Sequence, residues 1–160
     1  MHEISDPRPV PAAGEGKRGE DGHLGYLLRQ AAGVLRLRLD RAMADLEVTL
    51  PQFAVLTMLA NYPGLSNADL ARLALLTPQT VSVIVANLAR RGTITRRPHS
   101  IHGRIQHIDL TDEGRDVLAR CRQHVRTIEQ DITRDISAGD EAVIRRWLVS
   151  IASREQATGA

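Results

Sequence analysis

The chain has 160 residues, 42 % apolar and 25 % charged, with a net charge of +2, which fits one globular domain or a compact subunit. Only 2 % of the residues are aromatic (Tyr26, Phe53, Tyr62 and Trp147), so the core must be aliphatic, and folds that stack bases on aromatic platforms are disfavoured. A single cysteine, Cys121, excludes an intrachain disulfide and cysteine-rich zinc modules; with no apolar run of membrane-span length and no apolar signal core, a cytoplasmic protein with no membrane partner is expected.

Residues 1–20 mix charges with Pro7, Pro9, Pro11, Gly14, Gly16 and Gly19, which reads as a disordered arm. Leu24, Leu28, Ala31, Leu35, Leu39, Ala42 and Leu46 then step by three and four, the mark of a long amphipathic helix. A second helix starts at Thr49. That residue is a good cap, Gln52 completes a capping box, Pro51 suits the first turn, and Val48 and Phe53 are spaced as a hydrophobic staple. Phe53, Leu56 and Leu59 form its inner face, and Pro63-Gly64 ends it.

Ser66 caps a short helix with Asp69 at its positive end and Leu70, Ala71 and Leu73 inward. Leu75-Leu76-Thr77 turns the chain. Thr77 caps the next helix, Pro78 takes the favoured first position, and Val81, Ile84, Val85 and Leu88 face inward. Gly92 stops this helix after Arg90 and Arg91, which suit its negative end. The period then changes: 93–97 and 104–110 are strands, with Ile108 and Leu110 on one face, joined by a loop over 98–103. Thr111 caps a fifth helix carrying Leu118, Cys121, Val125, Ile128, Ile132 and Ile136. Ser137 caps a sixth with Val143, Ile144, Trp147, Leu148 and Ile151.

Charge is distributed unevenly. Residues 65–111 carry six Arg against Asp69 and Asp109, net +4, while each flank is net −1. That is the footprint of a polyanion-binding module. The order helix, short turn, helix, hairpin is a helix-turn-helix with a wing. In such a motif the second helix lies in the major groove of double-stranded DNA. With the inner stripe assigned, Gln79, Ser82, Val83 and Ala86 point outward, with Thr80 beside them. Gln can pair with adenine, Ser can donate or accept, and small apolar groups suit a thymine methyl. The capped starts at Ser66, with Asn67 next to it, and at Thr77 offer N–H groups to phosphate. Arg96 adds a strand cation.

The stretch from Leu70 to Gly114 resembles the MarR family of winged-helix transcriptional regulators. The matching phrases are LARLALLTPQTVSVIVANLARRGTITRRP and GRIQHIDLTDEG, with Leu88-x-x-x-Gly92, a wing Arg at 104 and Leu110-Thr111-x-x-Gly114. Including the long flanking helices, the resemblance spans about residues 22–153. It implies a mainly α (α+β) subunit over residues 21–160. The winged lobe would occupy 49–111, and 21–48 with 112–155 would supply dimerisation helices. It implies a homodimeric DNA-binding regulator, in the main a repressor released by a small aromatic or phenolic effector. Tyr26, Arg29 and Met58 are the candidates to line that effector's site. It also implies that Arg104 enters the minor groove, where narrow A·T tracts attract Arg. The family's acidic residue two positions before this Arg is replaced by His102, which is placed to approach phosphate.

His99, His102 and His107 lie in or beside the wing without Cys or Glu, so no metal site is expected. Cys121 sits on an apolar stripe and reads as a small buried hydrophobe; relatives that sense oxidants do so from the first helix, which has no Cys here. No phosphate loop, nucleophile elbow or HExxH motif is present, so neither enzyme nor cofactor is expected. The alternative is a winged-helix protein-interaction subunit without specific DNA binding, which a mobility-shift assay separates.

Overall fold

The structure, a computed structural model, describes residues 10–98 and 106–157. Among these are six α-helices and an antiparallel pair of strands: α1 (Leu24–Ala42), α2 (Leu50–Asn61), α3 (Asn67–Ala74), α4 (Pro78–Arg90), β1 (Ile94–Pro98), β2 (Gln106–Leu110), α5 (Asp112–Thr133) and α6 (Ala138–Ala157).

The described part of the arm has local order. Gly16–Arg18 make one turn of 3-10 helix. Glu15 accepts from the Ala12 N–H at 2.8 Å, and Arg18 donates to the Pro11 carbonyl at 2.6 Å. Its Gly and Pro residues therefore mark turns in this stretch rather than an unstructured chain.

α1 also departs from expectation. Its helix stops at Ala42 instead of running to Leu46. Met43 turns into the core with no exposure, Ala44–Leu46 tighten into a 3-10 turn, and Glu47 takes a left-handed conformation (φ 52°). That reversal lets Val48 enter the core as well. No residue of α1 is buried, and Leu24, Val34 and Leu37 are exposed.

The core forms around α2, whose Val55, Leu56 and Leu59 pack with Leu70, Val81, Val85 and Leu88 from the lobe and with Leu118 and Cys121 from α5. The caps supply the missing backbone partners at the helix starts. Thr49 and Gln52 form a reciprocal box, as do Ser66 and Asp69, and Thr77 accepts from the Thr80 N–H at 3.1 Å. Leu73, expected inward, is exposed; in a helix of two turns only Leu70 and Ala71 reach the core.

β1 pairs with β2 in the register Ile94↔Leu110, Arg96↔Ile108 and Pro98↔Gln106. Pro98, expected in the loop, is the last strand residue. β1 is an edge strand, where a missing N–H is tolerated. The other edge of β2 is occupied by Leu65, bridged to Ile108.

The Leu-Thr-x-x-Gly phrase has a steric cause. Thr111 donates its hydroxyl to the Gly92 carbonyl at 2.6 Å and accepts from the Gly114 N–H at 3.1 Å. A Cβ on Gly114 would stand 1.9 Å from the Thr93 carbonyl oxygen. Only glycine lets the start of α5 pass this close to the chain leaving α4. Gly92 makes that exit with φ 71°, a conformation glycine adopts without penalty.

On α5, Val117, Leu118, Cys121 and Ile128 are buried while Ile132 is exposed. On α6, Val143, Ile144, Trp147, Leu148 and Ile151 are all at least 37 % exposed, so none of its apolar face is buried within the described chain. No single described helix is long and apolar enough to cross a membrane.

Candidate nucleic-acid interface

α3 and α4 are bent 112° from each other, within the range of helix-turn-helix motifs. The corner is made by Leu75, left-handed at φ 53°, and by the Leu76 N–H, which closes on the Ala71 carbonyl at 3.0 Å. A non-glycine residue there costs about 1 kcal/mol. The cost is offset by the inner face of α4, where Val81 and Val85 are fully buried and Ile84 and Leu88 nearly so.

That packing decides what α4 presents outward. Gln79, Thr80, Ser82, Val83 and Ala86 are all exposed, Val83 by 61 %. Ser82 is partly committed: its hydroxyl donates to the Pro78 carbonyl at 2.9 Å and accepts from the Asn67 side-chain amide at 3.4 Å. It therefore keeps acceptor capacity but has no free proton. The same bond brings Asn67, the first residue of α3, against the outer face of α4.

Ser66 and Thr77 stand at the two helix starts. The Asp69 carboxylate accepts from the Ser66 hydroxyl at 2.6 Å and from the Ser66 N–H at 3.2 Å, and it pairs with Arg72. These Ser66 bonds, then Arg72, hold its carboxyl below the ordinary Asp range. The Thr77 and Thr80 hydroxyls lie 2.8 Å apart.

Arg96 is exposed on β1. Its neighbour Arg97 crosses to Asp109 on β2, with Nε at 3.0 Å. This pair was missed in the sequence, because a cross-strand partner appears only once register is known. The His107 ring nitrogen Nδ1 bonds to the Gly64 carbonyl. His99, His102 and Arg104 lie outside the described residues. Arg91, expected as a helix-end charge, also reaches back 44 and 45 positions to the Glu47 and Leu46 carbonyls, the latter at 3.3 Å.

The three effector candidates lie on two helices, Tyr26 and Arg29 on α1 and Met58 on α2. Tyr26 is half-buried on α1, hydrogen-bonded to Gln30, with the Arg29 guanidinium 5.9 Å from its ring centre. Arg29 lines a surface groove with Gly33, Val34 and Leu37; neither Tyr26 nor Met58 lines it. Met58, on α2, packs partly buried against the core. Burial pushes the Cys121 thiol up, which keeps it protonated and unreactive. Among the described residues no group of three His, Cys, Asp or Glu side chains could hold a metal ion.

Comparison with known proteins agrees with this geometry. The MarR family model matches residues 48–105. Over 134 residues the chain is 34 % identical to the HTH-type transcriptional repressor Rv2887 of Mycobacterium tuberculosis, covering 84 % of this chain and 96 % of that one. The crystal structure of Rv2887 in complex with DNA superposes with a TM-score of 0.67 at 32 % identity, covering 82 % and 98 % of the two chains; Rv2887 has also been solved with salicylic acid. The Streptomyces coelicolor regulator PcaV, in complex with its natural ligand, gives a TM-score of 0.70 at 28 % identity, covering 82 % and 92 %.

Proposed function

The chain belongs to the MarR family, and from that premise we propose that it is a homodimeric, sequence-specific DNA-binding repressor released by a small aromatic effector. The observation that carries the reading is α4: its inner face is buried and its outer face is polar or small, between two capped helix starts. In this reading the lobe over 49–111 docks on duplex DNA. Gln79, Thr80, Val83 and Ala86 face base edges, with Ser82 accepting beside them. Ser66, Asn67 and Thr77 serve phosphate, and Arg96, His102 and Arg104 serve the flanking backbone and minor groove.

Segments 21–48 and 112–155 supply the dimer. The exposed apolar faces of α1 and α6 support this, since such faces mark interaction surfaces. The effector rests on similarity to Rv2887, solved with salicylic acid, and to PcaV, solved with its natural ligand. The protein acts on DNA in the cytoplasm and has no catalytic role of its own.

The test is a mobility-shift titration with a duplex from the region upstream of its own gene, against excess unrelated duplex, with and without salicylate. A saturable shift that survives the competitor and weakens with salicylate is expected. Equal affinity for both duplexes would overturn the sequence-specific reading and favour a protein-interaction module.

A further inference from the structure

Ser82 sits in the middle of the outward face of α4, between Gln79 and Ala86 and beside Val83. A free serine hydroxyl can read any base, because it both donates and accepts. Here that freedom is gone. The Ser82 proton goes to the Pro78 carbonyl at 2.9 Å within the same helix, and one lone pair takes an N–H of the Asn67 side chain at 3.4 Å. What Ser82 can offer a ligand is one acceptor lone pair. The Asn67 side-chain oxygen, which bonds nothing among the described residues, adds acceptor capacity alongside.

The rest of the face narrows the readout further. From Pro78 to Ala89 the helix carries no Arg or Lys, and its first cation, Arg90, bonds the Asn87 side chain at 2.6 Å. The cations that pair with guanine O6 and N7 are therefore missing from this face. The short side chains of Ser82, Val83 and Ala86 let the backbone come close to a groove floor, as a serine oxygen needs in order to touch a base. In the major groove each base pair shows one exocyclic amine, on adenine or on cytosine, whereas guanine and thymine show only acceptors. A lone pair held over one strand bonds the first class and faces another lone pair in the second.

We infer that Ser82 is a specificity-determining residue that selects a base with an exocyclic amine, adenine or cytosine, at one position of each half-site and rejects guanine and thymine there. The inference rests on the placement of α4 against base edges proposed above, and it adds the class of base that is read.

Selection of bound duplexes from a randomised library, with the parent and with Ser82→Ala, tests it. The parent should enrich adenine or cytosine about five- to tenfold over guanine and thymine at one position per half-site, and Ser82→Ala should lose that preference while keeping the others. Which base is enriched separates adenine from cytosine. In the selected duplex, that base is then replaced by its analogue lacking the amine, purine for adenine or 2-pyrimidinone for cytosine. The parent should weaken by a similar factor and Ser82→Ala should not respond. Guanine or thymine enriched at the position that Ser82→Ala alters would mean a donating hydroxyl and overturns the inference. So does a variant that alters no position, or that weakens all duplexes alike, the behaviour of a phosphate contact. Equal sensitivity of parent and Ser82→Ala to the missing amine also overturns it, since another group would then read the amine. In each of these cases the parent still selects a consensus and the sequence-specific reading stands. A parent that selects no consensus overturns that reading and the inference with it.

Discussion

The Asn67 side-chain amide lies 3.4 Å from the Ser82 hydroxyl, tying the first residue of α3 to the outer face of α4. Because the Ser82 proton already goes to the Pro78 carbonyl, the pair locks the angle between the two helices as much as it offers a group to DNA. Asn67→Ala and Ser82→Ala should therefore weaken operator binding by overlapping amounts. The double variant should fall short of the sum by about 0.5 kcal/mol or more. Gln79→Ala, whose side chain is exposed, should cost ~1–3 kcal/mol on the operator and little on unrelated duplex. Additive losses for Asn67 and Ser82 in a double-mutant cycle would show that they act separately.

Gly114→Ala concerns stability rather than binding. Its Cβ would meet backbone, the Thr93 carbonyl at 1.9 Å, not a flexible side-chain end. The same carbonyl accepts from the Thr111 N–H at 3.1 Å, so moving it breaks the start of α5. A loss above about 2 kcal/mol is expected, in the class of overpacked core sites. Gly139→Ala is the matched control, since its nearest neighbour would be 3.7 Å away. Equal melting temperatures for the two variants would contradict the steric account.

Much of this architecture was legible in the sequence because its signals are local. The i, i+3, i+4 spacing on α4 gave both its buried and its exposed face, and Thr49, Ser66, Thr77 and Thr111 cap where their positions suggest. What stayed hidden depends on distant partners. Leu73, expected inward, is exposed, because eight residues make too short a helix to fix a face. The break after Ala42 depends on Met43 finding room in the core. Arg97 finds Asp109 only through strand register, and Arg91 reaches the α1–α2 corner across more than forty residues.

The dimer is tested on α6 rather than α5. Ile128 is already buried within one chain, so a charge there would damage the subunit whether or not a partner exists. Leu148 is 41 % exposed in the isolated chain, and the proposed dimer would desolvate it against a second copy. Leu148→Asp should leave the helical signal intact and shift sedimentation from dimer to monomer, because an unpaired buried carboxylate is severely unfavourable. An unchanged dimer would remove α6 from the interface.

Acid should loosen the lobe through Asp69. Its folded-state value lies below the ordinary one, chiefly through the Ser66 bonds. The stabilisation is therefore fully present above the unfolded value of about 3.9 and is lost as pH falls through the lower folded value. Asp69→Asn cannot titrate. The difference in melting temperature between parent and variant should stay constant from pH 7 to about 5 and narrow below about 4. A difference that stays constant into the acid range would mean that the cap does not depend on charge.

Arg91 offers the last test, because it joins the end of the helix proposed to read DNA to the corner that follows α1. Its guanidinium bonds two carbonyls, those of Leu46 and Glu47, at the end of a 3-10 turn that otherwise leaves them open to solvent. Each such bond to a charged donor contributes up to about 1.5–3 kcal/mol when buried and less at an exposed residue like this one. Glu47 is left-handed, so the corner is held partly from outside. Arg91→Met keeps the apolar stem and removes both bonds. It should lower the melting temperature slightly and weaken operator binding more than unrelated duplex, because α4 is then less firmly set against the corner that follows α1. Arg91→Lys should restore only part of the effect, since an ammonium cannot match the planar fork. Should Arg91→Met weaken both duplexes equally, with Lys restoring both, Arg91 would be acting as a phosphate charge, and the tie to the corner would have no part in specificity.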